Sequence, residues 1–294
     1  MNGVILINKE KGISSFRVVA KIRKILNIKK VGHTGTLDPE ATGLLPILVG
    51  NGTKISKYLI EHDKTYIARL KFGIKTDTAD SEGEIIKKDN FKLNKKDENF
   101  YIESFNSFVG KMSQFPPKYS AIKVNGKKLY EYARENKDVE IKAREVEIYS
   151  IKILYINYDE NEIDFEVSCS KGTYIRTLCE DIAKKLETCG YMKELKRIRV
   201  NNFKIENSIS LEELEQNKDN EEFLKNNIIS IEKVFENKNR INLNERKKEL
   251  FLNGVKLTND LEDDIYLVYS NNKFIGLGEV KEKLLKRDVI ENEK

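Results

Sequence analysis

Residues Val31 to Gly50 read VGHTGTLDPEATGLLPILVG. For these twenty positions Lys and Arg disappear and four Gly appear, in a chain that is otherwise 34% charged. The spacing excludes a nucleotide-triphosphate cradle, because it contains neither Gly-x-Gly-x-x-Gly nor a Gly-Lys-Ser/Thr ending. What remains is a constrained turn with two acids, Asp38 and Glu40, of which Glu40 reads as solvated. Pro39 biases Asp38 toward extended backbone. Gly35 and Gly43 permit tight turns or the close approach of a ligand. Leu37, Leu44, Leu45 and Ile47 make the surroundings apolar, and a carboxylate there requires a partner. On these residues alone, Asp38 reads as an Asx-turn residue before it reads as an acid with a chemical task.

The flanking segments carry clearer secondary-structure signals. GVILIN (Gly3–Asn8) is a continuous apolar run short enough for a buried strand. Ser14 or Ser15 caps a helix running to about Asn27, with Val18, Ile22, Ile25 and Leu26 on its apolar stripe. TYIARLKFG (Thr65–Gly73) alternates as a half-buried strand does, with Tyr66, Ala68, Leu70 and Phe72 on one face. TDTADSEGE follows as a loop. Phe115 to Arg144 mixes a Pro pair, Asn/Gly breaks and interleaved Lys and Tyr. It reads as a surface excursion with a short helix near Leu129–Arg134. A hairpin turning at Asp159–Asn161 comes next. Then follows a helix with Ile175, Leu178, Cys179, Ile182 and Leu186 on one face. Past residue 205 the acidic, Asn-rich composition reads as a linking region, and Ile241 to Asp288 as a small β-rich appendage.

A chain of 294 residues buries a sizeable core. Its 39% apolar content fits a globular protein. No window approaches a transmembrane helix, and the N-terminus lacks the features of a signal peptide, so a cytoplasmic location is expected. Cys169, Cys179 and Cys189 suit neither a disulfide framework nor a zinc site. The two histidines, His33 and His62, weigh against a His-rich metal centre. The net charge of +5 is uneven: residues 1–60 carry ten Lys/Arg against three Asp/Glu, and residues 111–130 carry five Lys and no acid. Separated basic segments of this kind point to a nucleic-acid partner as readily as to a solvated face.

GHTGTLDPEATGLLPILVG resembles the signature of the TruB family of tRNA pseudouridine synthases, and the resemblance continues along the chain. GVILINKEKGISS is similar to that family's opening strand and turn, and KTYIARLKFGIKTDTADSEG to its second motif. PPKYSAIKVNGKKLYEYAR resembles its RNA-gripping thumb, and SKGTYIRTL and LKRIRVNNF its last catalytic-domain motifs. The tail resembles a short PUA domain. The resemblance implies an α+β pseudouridine-synthase fold with a mixed, largely antiparallel sheet. It implies a catalytic domain over residues 1–238 with a thumb insertion at about 111–145, and a PUA-like RNA-binding domain over 239–294. It places Asp38 at the catalytic aspartate, Tyr66 at the tyrosine that stacks on the target base, and Arg176 at the arginine paired with the carboxylate. His33, Tyr174 and Leu195 fall at substrate-binding positions, and Lys123, Lys127 and Lys128 in the thumb as RNA contacts. Three residues depart from the pattern. Glu10 stands where Pro is usual, and Asn136 and Asn201 where Gly is usual; Asn is among the residues most tolerant of left-handed backbone.

The implied activity is isomerisation of uridine 55 in the tRNA T-arm. A glycosidic bond breaks and re-forms at C5 of the same base. The reaction is redox-neutral, so no cofactor and no metal are expected. The base must leave the stack, at a cost of a few kcal/mol. Stacking on an aromatic such as Tyr66 returns roughly 1–3 kcal/mol. One held carboxylate serves as nucleophile or base toward the ribose. The expected partner is the tRNA T-arm stem-loop, bound by a monomer with no obligate protein partner and no membrane. Two alternatives stand beside this: an RNA-binding or RNA-folding module of the same architecture without turnover, and a synthase acting on another stem-loop.

Overall fold

The computed structural model describes residues 1–291 apart from Glu61, Ala121 and Asn136. The Gly-to-Asn departure expected at Asn136 lies outside the described residues. Among those residues ten strands form one sheet, whose backbone path runs 228–229, 3–9, 42–49, 190–200, 64–72, 162–169, 144–157 and 110–114. Strands 31–33 and 203–204 pair onto this path. Neighbours are antiparallel except where Lys196 and Arg197 run parallel to Thr42 and Gly43. The result is the mixed, largely antiparallel α+β sheet that the sequence implied.

Burial on one or both faces explains the two kinds of strand pattern. In Gly3–Lys9, Ile5 and Ile7 enter the main core with helices Ser15–Leu26 and Ile175–Lys185. Val4 and Leu6 enter a second core on the opposite face, completed by Leu267, Leu277 and Val289 of the C-terminal sheet. A strand covered on both faces reads as an unbroken apolar run. Strand Lys64–Phe72 is covered on one face. Tyr66, Ala68, Leu70 and Phe72 are buried there while Ile67, Arg69 and Lys71 stay half-exposed, which is the predicted alternation.

The helix Ser15–Leu26 is set by its ends. The Ser14 side chain accepts a hydrogen bond from Arg17 N–H, and Asn27 closes the helix in the left-handed region at φ 51°. Asn201 also adopts a left-handed backbone, at φ 51°, as its substitution for Gly required. The hairpin between strands 144–157 and 162–169 turns at residues 158–161, and Asn161 has φ 59°.

Residues past 205 differ from the expected linker. Leu211, Leu214 and Leu224 are buried in the main core, and Ile228–Ile229 adds an edge strand by pairing with Val4 and Ile5. Three well-spaced leucines outweigh the acidic composition, because one face suffices to dock a short helix. The C-terminal segment forms its own five-stranded sheet, with Phe251, Val268, Val280 and Leu285 at its centre. Its other apolar face joins the second core, and the Tyr58 hydroxyl donates to Asp288 at 2.7 Å across that junction. No helix among the described residues is long and apolar enough to cross a membrane.

Candidate active site

A cleft of about 430 Å³ opens where the loop after strand Val31–His33, the central strands and the start of helix Ile175–Lys185 converge. Asp38, Tyr66, Tyr174, Arg176 and Leu195 line it together with Tyr119, Ser120 and Tyr130 of the inserted segment. Tyr66 and Leu195 arrive on neighbouring strands, in which Leu195 pairs with Ala68. Tyr174 caps the helix that carries Arg176. Residues distant in sequence are therefore gathered by the sheet.

Asp38 is bracketed by clamps on its neighbours. The Ser15 hydroxyl donates to Leu37 O and accepts from Leu37 N–H, each at 2.8 Å. On the other side Pro39 O accepts from the Lys9 ammonium and from Gly12 N–H, each at 2.9 Å. The side chain between them faces the cleft, 41% exposed, and its Oδ2 lies 3.1 Å from Arg176 Nη2. Arg176 is buried, so its charge requires compensation. Its Nη1 reaches Asp80 Oδ2 at 3.2 Å, and its Nη2 donates to Tyr119 O at 3.0 Å. One guanidinium thus holds two carboxylates and the root of the inserted segment.

Arg197 is a second buried cation, without an ion pair among the described residues. Its Nε donates to Leu44 O at 2.8 Å and its Nη2 to Gly35 O at 3.1 Å, tying both ends of the Asp38 loop to strand Gly190–Val200. Gly43 is required there: at φ +100°, a Cβ would meet Arg197 O at 2.3 Å. Burial drives three ionisable groups near the cleft, Tyr66, Lys9 and His33, toward neutrality. It raises the Tyr66 phenol to about 12, with the Arg197 guanidinium pulling the other way. It lowers Lys9 to about 8, with Glu40 and Asp38 opposing. Burial, then Arg197, lowers His33.

The chain matches the model of the TruB family pseudouridylate synthase N-terminal domain over residues 23–175. It matches the tRNA pseudouridylate synthase B C-terminal domain over residues 176–236. The chain belongs to the TruB family of pseudouridylate synthases. It is 46% identical to the tRNA pseudouridine synthase B of Clostridium tetani, covering 95% of this chain and 96% of that one. It is 45% identical to that of Clostridium perfringens, covering 96% of each. Among solved structures, a chain of a Cbf5–Nop10–Gar1 complex superposes with a TM-score of 0.71 at 25% identity, covering 99% of this chain and 84% of that one.

Five of the residues singled out in the sequence meet in the cleft: Asp38, Tyr66, Tyr174, Arg176 and Leu195. His33 lies outside its lining, half-buried on strand Val31–His33, where its Nδ1 accepts from Gly35 N–H at 3.2 Å. The three thumb lysines sit on a hairpin, Lys123–Val124 with Lys127–Lys128, that leads into helix Leu129–Arg134. The absence of acid in residues 111–130 does not leave every lysine of that window free. Glu135 pairs with Lys127, and Asp138 lies 3.0 Å from Lys118, because acids just beyond that window fold back. The sequence reading missed Asp80, Lys9, Ser15 and Arg197. Asp80 is masked by the acids around it in TDTADSEGE, and nothing in LKRIRV distinguishes the buried arginine from its exposed neighbours.

Proposed function

We propose that this chain is a tRNA pseudouridine synthase that isomerises uridine 55 of the T-arm, in the cytoplasm, as a monomer without an obligate protein partner. The reading assigns residues 1–238 to the catalytic domain, with a thumb at about 111–145, and 239–294 to a PUA-like RNA-binding domain. The observation that carries it is the Asp38–Arg176–Asp80 cluster beside Tyr66 on the wall of a nucleotide-sized cleft. The relatives' names and family membership support the same activity.

In this reading the uridine leaves the T-loop stack and its base lies on Tyr66, with Leu195 packing on the base. Asp38 then acts on the ribose, with Arg176 fixing the orientation of the carboxylate. The C1′–N1 bond breaks, the base turns, and C5 bonds to C1′ while the C5 proton leaves and N1 takes up a proton. The departing base is itself the incoming nucleophile, so a site that stops it diffusing away is part of the chemistry. Tyr174 holds the nucleotide at the mouth. His33, behind the loop, shapes the Gly35 turn through its ring nitrogen. Of the thumb lysines, Lys123 and Lys128 meet tRNA phosphates, with Lys127 held beside them by Glu135.

The test is incubation with an unmodified tRNA transcript and mapping of pseudouridine along it. Product at position 55 is expected, and none from Asp38→Asn, whose tRNA affinity should stay within about threefold because phosphate contacts dominate binding. Product elsewhere overturns the substrate assignment, and a turning-over Asp38→Asn overturns the role of Asp38.

A further inference from the structure

Three buried side-chain atoms among the described residues lack a hydrogen-bond partner: Thr34 Oγ1, Ser120 Oγ and Glu291 Oε2. Of their residues, only Ser120 lines the cleft that holds Asp38, Tyr66 and Arg176. Ser120 is 5% exposed. Its backbone is pinned on both sides. Ser120 O accepts from Tyr130 N–H at 3.1 Å, at the start of the thumb helix. The preceding carbonyl, Tyr119 O, accepts from Arg176 Nη2 at 3.0 Å. These contacts hold the backbone in place, so the hydroxyl reaches a partner in the cleft only by turning about its own Cα–Cβ bond. The Tyr174 phenol, its pKa raised by burial, lies close enough for the Ser120 hydroxyl to pull it back down, but no well-aligned hydrogen bond joins the two.

Nearly all buried polar groups in folded proteins are paired, and an unpaired one destabilises the fold that contains it. Alanine would occupy the same space without that penalty. An unmatched hydroxyl carried on a fixed backbone at a cleft wall is the arrangement expected when the missing partner arrives with the ligand. We infer that Ser120 is a specificity-determining residue whose hydroxyl is completed by an oxygen of the flipped uridine, a base carbonyl or the ribose 2′-hydroxyl. This rests on the pseudouridine synthase reading above. It adds to that reading a hydrogen bond made from the root of the thumb, so that seating of the nucleotide and docking of the thumb depend on one residue. Tyr66 grips the base by its face, which any base possesses. A hydroxyl contact discriminates by the oxygen it requires.

The experiment compares wild type and Ser120→Ala, each as the full chain, for melting temperature, tRNA affinity and kcat/KM on a full-length tRNA transcript. Removing the hydroxyl should leave the melting temperature unchanged or raised. It should lower kcat/KM by about ten- to a hundredfold, the range for one lost hydrogen bond that leaves a substrate oxygen unpaired. Affinity, set by phosphates, should hold within about threefold. Transcripts carrying 2-thiouridine, 4-thiouridine or 2′-deoxyuridine at the target identify the oxygen. One of them should slow the wild type and slow Ser120→Ala no further. Losses that add for all three, a Ser120→Ala that keeps wild-type kcat/KM, or one that loses activity only in proportion to a lowered melting temperature, would each overturn the inference. A wild type that forms no pseudouridine at the target defeats the functional reading instead.

Discussion

Asp80→Asn isolates the electrostatic contribution of the second carboxylate on Arg176. Asp80 Oδ1 accepts from the Thr78 hydroxyl at 2.6 Å and from Glu82 N–H at 3.1 Å, so an asparagine carbonyl can keep that half of the site. Its amide nitrogen would then face Arg176 Nη1, donor against donor, where Oδ2 now sits at 3.2 Å. The gross attraction lost is roughly 5 kcal/mol at an effective dielectric near 20. About 1.5–3 kcal/mol of it remains as the net value of a charged hydrogen bond once desolvation is counted. Arg176 would keep Asp38 through Nη2 and the carbonyls of Tyr119 and Thr78, but would lose the anchor that fixes its rotation. If Asp38 acts only when aligned by that guanidinium, kcat should fall by about ten- to a hundredfold, and KM should change less than about threefold. The assay is single-turnover release of tritium from tRNA labelled at uracil C5, with saturating enzyme. A melting curve beside it should show a loss of stability, since a buried guanidinium is left half-compensated. An Asp80→Asn enzyme within about twofold of wild-type kcat, or one changed in KM alone, would refute the alignment argument.

The thumb makes a quantitative prediction. Replacing Lys123, Lys127 and Lys128 together by Gln should flatten the slope of log affinity against log salt by about 1.4–1.8, two phosphate contacts rather than three, because Lys127 is already paired with Glu135. It should raise KM more than it lowers kcat; an unchanged salt slope would remove these lysines from the interface. Lys9 offers a pH test. Its folded pKa is about 8 against 10.5 for an ordinary lysine, so between those values the unfolded chain binds more protons and stability should rise with pH. The difference between the denaturant midpoints of wild type and Lys9→Met should shift in favour of wild type as pH rises across that window if the buried ammonium is the cause, and stay constant if it is not.

The elements could be read from the sequence where a local signal decides them. The capped helix Ser15–Leu26, the alternating strand at Tyr66 and the hairpin near Asn161 follow from cap chemistry, period-two burial and turn residues within a few positions of one another. The candidate site could be read only in part. Asp38, Tyr66, Tyr174, Arg176 and Leu195 were named because each sits in a motif with family character, and the sheet does bring them together. Asp80 was not named, because its significance is a contact with Arg176 across 96 positions. The same holds for Lys9, whose ammonium reaches Pro39 O across 30 positions, and for Arg197, whose guanidinium reaches Leu44 O across 153. The acids that fold onto Lys118 and Lys127, and the small helices of residues 211–227 that dock in the main core, escape the sequence for the same reason. Sequence pattern reports which residues suit a face or a turn, since backbone geometry and hydrophobic burial act locally. Which charge meets which depends on sheet order and chain return, and in a dry site that pairing decides whether a buried ion is tolerated at all.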